Sequence, residues 1–220
     1  MRLLDLVLPE RCAVCAIPGS PLCDSCRGAL VRLVPPVCER CGSPGPWPVR
    51  RCAECSGRRL AFARARAALV YDERARTFVR VWKEHGRRPL AEEAAALVVE
   101  SLAPPAVDLL LPVPGDPERA WKRGRVGPEA LAQALSRAWG IPTAGLLERA
   151  RSLPRQRGLG LSERRRNVRG SVLATGSAPR TVCLVDDVYT SGATADACAS
   201  ALRKAGARRV EVVTLARAVR

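Results

Sequence analysis

Four Cys-x-x-Cys pairs crowd the first 55 residues, and no other feature limits this chain's folding so tightly. The pairs are Cys12/Cys15, Cys23/Cys26, Cys38/Cys41 and Cys52/Cys55. Two intervening residues let a pair of thiolates converge on one tetrahedral ion, so four pairs supply two complete four-cysteine zinc sites. The competing reading is a disulfide framework, which needs an oxidising compartment. The Leu3 to Leu8 run is short, broken by Asp5 and followed by no cleavage site, so no secretory signal supports that compartment and a cytoplasmic location is expected. Sequential pairing encloses 7 residues between Cys15 and Cys23 and 10 between Cys41 and Cys52. The turn formers Ile17-Pro18-Gly19-Ser20-Pro21 and Ser43-Pro44-Gly45-Pro46 favour such compact ribbons, while spacing alone leaves cross-braced pairing open. Coordination by four cysteines leaves no open position for substrate or water, so both zinc ions are read as structural. Large apolar residues are sparse before residue 58, so metal binding must supply much of this module's folding free energy.

The lone histidine, His85, excludes metal sites that need two histidines and leaves any Ser-His-Asp triad a single candidate base. No GxxxxGK[ST] loop is present, and no stretch approaches the ~20 apolar residues of a membrane span. Past Gly57 the cysteine pairs stop and apolar periods begin, which sets expected domains at 1–58 and 59–220. Phe62 to Tyr71 reads as a strand. Phe78, Val81, Trp82 and His85 mark one face of a helix, and Leu90 to Leu102 a second helix. Val107 to Leu111 reads as a buried strand, and Pro128 to Trp139, closed by Gly140, as a helix. Val182 to Val185 and Val210 to Leu215 read as strands either side of a helix from Ala193 to Ala205. Strands alternating with helices imply an α/β fold with a mostly parallel sheet, whose ligands bind at the carboxyl ends of the strands. Cys183 and Cys198 fall at apolar positions of a strand and a helix and read as buried thiols.

The segment Val182-Cys183-Leu184-Val185-Asp186-Asp187-Val188-Tyr189-Thr190-Ser191-Gly192-Ala193-Thr194 carries the chemistry. Two carboxylates are expected where a buried strand ends, and a small, hydroxyl-rich turn then opens into a helix. The N–H groups of such a turn, with a helix N-terminus behind them, suit a dianionic phosphate. Gly192 allows close backbone approach, Thr190, Ser191 and Thr194 add hydroxyl donors, and Ala193 keeps the helix start small. Asp186 and Asp187 suit vicinal hydroxyls or a water-bridged Mg2+.

This segment resembles the 5-phosphoribosyl 1-pyrophosphate (PRPP) motif of type I phosphoribosyltransferases. Leu111-Pro112-Val113-Pro114 followed by Arg119, Lys122, Arg123 and Gly124 resembles a segment of ComF-family proteins, as do Arg151, Gln156, Leu159, Arg164, Asn167, Val168 and Gly170. With the cysteine-rich start, the resemblance covers Cys12 to about Arg217. It implies a type I phosphoribosyltransferase-like sheet flanked by helices, behind a small N-terminal double zinc-ribbon module. It also implies PRPP as ligand with Mg2+, and a link to DNA uptake during competence, with other uptake proteins as partners. Val113 and the turn after it would then face a pyrophosphate, with Arg119, Lys122 and Arg123 covering its charge. The chain departs from the family after Gly124, where Arg125-Val126-Gly127 replaces the usual Phe-Asn-Gln. The acceptor stays open, as does the choice between a transferase and a non-catalytic PRPP sensor that binds DNA; no strong general base is visible, Glu129 and His85 being weak candidates, and the catalytic residues stay unassigned.

Charge adds one more expectation. Eight arginines and one acid, Glu163, lie between Arg149 and Arg169. Clustering of this kind, centred on Arg164, Arg165, Arg166 and Arg169, fits a polyanion partner such as DNA held without sequence preference. No base-reading motif accompanies it, and aromatics for stacking on single strands are scarce at 4%.

Overall fold

A run of apolar residues long enough to be buried on both faces forms the centre of the sheet. The computed structural model describes residues 10–85, 88–115, 127–149 and 171–219. In chain order its elements are α1 (Asp24–Gly28), β1 (Arg64–Val70), α2 (Glu73–His85), α3 (Arg88–Ser101), β2 (Leu109–Pro112), α4 (Pro128–Trp139), β3 (Leu147–Arg149), β4 (Val172–Ala174), β5 (Thr181–Tyr189), α5 (Ala193–Lys204) and β6 (Arg209–Arg217). Four strands form one sheet in the order β1-β6-β5-β2, and every pairing is parallel. The expected α/β class is therefore borne out.

Alternation along β5 divides the core. Cys183 and Val185 face one side, with Phe78, Trp82, Leu97, Leu131 and Leu135 of α2, α3 and α4. Val182 and Leu184 face the other, with Cys198 and Leu202 of α5. The zinc-ribbon module straddles the β1 edge and contributes to both faces: Cys12, Leu22 and Leu30 join the first cluster, and Cys38, Cys41, Cys55 and Phe62 the second. The amide of Leu33 donates to Ala68 and that of Val70 to Val31, so the chain between the ribbons covers an otherwise open strand edge.

β5 runs four residues past the expected end at Val185. Its ladder with β6 continues through Asp186↔Thr214, Val188↔Ala216 and Tyr189↔Arg217, so both carboxylates sit within the strand and not beyond it. The β3–β4 antiparallel pair was not anticipated from the sequence. No described helix is long and apolar enough to cross a membrane.

Candidate functional site

The eight N-terminal cysteines form two separate clusters, Cys12/Cys15/Cys23/Cys26 and Cys38/Cys41/Cys52/Cys55, each with its sulfurs within 4.8 Å of one another. Pairing is sequential, and cross-bracing is ruled out. Sulfur separations of 3.8 Å for Cys15–Cys23, 3.7 Å for Cys38–Cys55 and 3.4 Å for Cys41–Cys52 lie at or somewhat below the edge of about 3.8 Å that Zn–S bonds of ~2.3 Å set for a tetrahedron. The donor set thus fits zinc, held for structure. Both ribbons open with the same turn, Ala16 N–H to Cys12 carbonyl and Gly42 N–H to Cys38 carbonyl, each followed through a left-handed residue, Ala16 at φ 62° and Gly42 at φ 72°. Burial opposes ionisation of Cys12, but backbone N–H groups of Cys15, Cys23 and Val14 overcome it and bring the thiol down to about 6. In the same way Cys41, Cys52 and Arg40 amides outweigh burial at Cys38 and bring it down to about 7. Each cluster therefore offers a thiolate to an arriving cation.

The second site lies where β2 and β5 end. Tyr189 closes β5, Thr190 is exposed, and Gly192 takes a left-handed φ of 70° as the residue before α5. Ser191 Oγ accepts from the Ala193 amide at 3.4 Å, and Thr194 lies in the first turn of α5, whose leading amides lack carbonyl partners within the helix. The residues expected from sequence are thus only partly assembled here: Asp186, Asp187, Thr190, Ser191, Gly192, Ala193, Thr194 and Val113 share this end of the sheet, while Arg119, Lys122, Arg123, Arg164, Arg165, Arg166 and Arg169 lie outside the described residues. Val113 is 3% exposed and its N–H donates to the Val185 carbonyl at 2.9 Å, so it continues the ladder and offers no free amide of its own.

The two carboxylates have different company. Asp187 is buried and pairs with Lys83 of α2 at 2.6 Å. Burial and then the charge of Asp187 push Asp186 up to about 8, against the pull of the Asp187 amide, Lys83 and Arg149. Arg149, at the end of β3, donates from Nε to the Pro114 carbonyl at 3.1 Å. Lys83 and Arg149 thus bring two cations to the carboxylates, and neither was singled out as a site residue from sequence. Lys83 lies outside the apolar face by which its helix was read, and Arg149 counted only as one member of an arginine run. Cys183 and Cys198 are fully buried, and burial pushes Cys198 up to about 12.

Fold and sites together define a class: a double zinc ribbon joined to an α/β domain built on a parallel four-stranded sheet. Residues 3–57 match the Double zinc ribbon domain family. Over 224 residues, 94% of this chain and 97% of the relative, the sequence is 29% identical to Competence protein F of Haemophilus influenzae. It is 27% identical to DNA utilization protein YhgH of Salmonella typhi, over 96% of this chain and 99% of that protein. These full-length relatives bear out the ComF resemblance. Among solved structures, glutamine PRPP amidotransferase from B. subtilis overlaps 56% of this chain and 25% of its own, at 23% identity and a TM-score of 0.39. Purine phosphoribosyltransferase from Pyrococcus horikoshii overlaps 58% and 72%, at 20% identity and a TM-score of 0.36.

Proposed function

We propose that the carboxyl ends of β2 and β5 bind PRPP, in a cytoplasmic protein that serves DNA uptake. The observation that carries this reading is the run from Asp186 to Thr194, where two carboxylates are followed within one turn by a left-handed glycine and a helix N-terminus. The 5-phosphate would rest on the amides and hydroxyls of Thr190 to Thr194. Ribose hydroxyls would face Asp186 and Asp187, and the pyrophosphate would lie toward the segment after Val113, covered by Arg119, Lys122 and Arg123. The carboxylate oxygens of Asp186 and Asp187 fit a hard cation, so they would hold Mg2+, directly or through water, to neutralise pyrophosphate charge. Lys83 holds Asp187 in place and, with Arg149, adds cations to the same end of the sheet. Phosphoribosyl transfer passes through an oxocarbenium-like state, so such a site would act by positioning and by stabilising the leaving pyrophosphate.

The chain would then transfer phosphoribose to an unidentified acceptor. The names of the full-length relatives, together with the eight arginines between Arg149 and Arg169, favour a second reading in which PRPP is an effector and DNA is what the protein holds. PRPP with Mg2+ should raise the melting temperature, by about 2.7 kcal/mol of stabilisation at a hundredfold excess over Kd. Asp186→Ala combined with Asp187→Ala should abolish the shift; a full shift in that variant would refute this placement of the sugar. Pyrophosphate release with some acceptor separates the transferase from the sensor.

A further inference from the structure

The second zinc ribbon and the Thr190–Thr194 loop meet at Arg217. This guanidinium ends β6, is 1% exposed, and lies beside Tyr189 of β5 in the sheet register. Toward the ribbon, Nη1 donates to the Cys41 carbonyl at 2.7 Å, while Nη2 lies 2.6 Å from Glu54 Oε2 and 3.7 Å from the Cys41 sulfur. Toward the loop, Cζ stands 4.5 Å from the centre of the Tyr189 ring. That ring fills the space a side chain at Gly192 would take: a Cβ there would come within 2.2 Å of the Tyr189 hydroxyl. Phe62 packs edge-on against the same ring at 6.3 Å. A second link runs from Arg58, three residues past Cys55, whose Nη1 donates to the Ser191 carbonyl at 2.6 Å.

Four thiolates around a zinc ion carry a net −2, and the buried guanidinium, shared with Glu54, offsets part of that charge. Releasing the ion frees Cys41, and with it the carbonyl and sulfur that hold Arg217 under Tyr189. The first centre has a different mooring: its ribbon is tied to α3 through Arg27, which pairs with Glu93 at 2.5 Å and also with Glu100.

We propose that Arg217 is a positioning residue that couples the Cys38/Cys41/Cys52/Cys55 centre to the phosphate loop, so that zinc there and phosphate on the loop each tighten the other. This rests on the phosphate reading of Thr190 to Thr194. Coupling of this kind is reciprocal, so it can be read from the metal side without any assay of turnover.

The test is zinc release from the full-length, two-zinc protein to a zinc-selective chelator, with and without PRPP and Mg2+. PRPP should slow release of one ion about tenfold and leave the other unchanged. Arg217→Gln should bind PRPP about tenfold more weakly and lose that protection. Arg217→Lys should retain zinc without restoring protection, because a lysine cannot bridge Cys41 and Glu54 while stacking on a ring. If Arg217→Gln does not keep two zinc ions, Tyr189→Leu cuts the same link from the loop side and should also lose protection. PRPP binding with both ions released at unchanged rates, or both slowed equally, overturns the coupling alone, as does protection persisting in the variants. Absence of PRPP binding by the unaltered protein overturns the phosphate reading, and the coupling falls with it.

Discussion

Asp186 and Asp187 are neighbours in sequence with opposite surroundings, because successive side chains of a strand face opposite sides of a sheet. Asp187 meets Lys83 on the α2 side, whereas Asp186 turns toward α5, where its charge is felt at Cys198. Unfolded, the Asp186 carboxyl loses its proton near the ordinary value of 3.8; folded, it keeps that proton up to about 8. The folded state therefore holds the extra proton between those values. This group's contribution to stability is full below about pH 4 and is lost as pH rises through 8. In the ligand-free protein, melting temperature should fall across that window, and Asp186→Asn should flatten the slope and raise stability at the alkaline end. An unchanged slope in the variant would place the titration elsewhere. Gly42 is a second position where one residue decides. Its φ is left-handed, and a Cβ would lie 2.6 Å from the Ala65 carbonyl oxygen, whereas the matching Ala16 of the first ribbon, also left-handed, is exposed. Gly42→Ala should cost ~2 kcal/mol in denaturant unfolding, combining left-handed strain with the clash against β1.

At the level of elements, the zinc ribbons were the most legible part, because Cys-x-x-Cys spacing states its chemistry directly. Which pairs share an ion could not be read from spacing, and only the turn formers between the pairs favoured the sequential answer that the clusters show. The sequential answer makes each ribbon separable. Replacing Cys38 and Cys41 by serine should release one zinc and leave the other, measured by metal analysis of purified protein; loss of both would show that the ribbons fold as one unit. The buried strands were legible from apolar runs, and their ends were not. β5 and β6 each run on past the apolar residues, through Asp186 and Asp187 in one and to Arg217 in the other, where charged side chains conceal a continuing ladder. Arg217 was invisible as a site residue for the same reason, its ribbon partner Cys41 being 176 residues distant in sequence. β3 and β4 are three residues each, with Glu148 and Arg149 exposed, and carry too little pattern to announce a strand.

For the whole molecule the question is where an anionic polymer would bind. The chain carries 37 basic and 21 acidic residues, so attraction to DNA is expected, but zinc redistributes it. Residues 1–60 hold nine arginines against five acids, and two four-thiolate centres at −2 each cancel that excess. The zinc module then contributes little long-range field, and the burden falls on the arginine-rich stretch that begins at Arg149. Its first member is engaged locally with Pro114, which ties one end of the run to the carboxyl end of β2. We propose that the rest of the run contacts phosphates without reading bases. Each contact releases counterions, so affinity should fall steeply with salt, and neutralising Arg164, Arg165 and Arg166 should lower the log–log salt slope by about 2 to 3 as well as weaken binding. PRPP stabilisation should survive in that triple variant if these arginines lie outside the pyrophosphate pocket. Anisotropy titrations with duplex and single-stranded DNA at several salt concentrations decide it. Binding unaltered in the triple variant, or none at micromolar protein in low salt, would leave the run as a solvated face and remove DNA from the functions assigned to this chain.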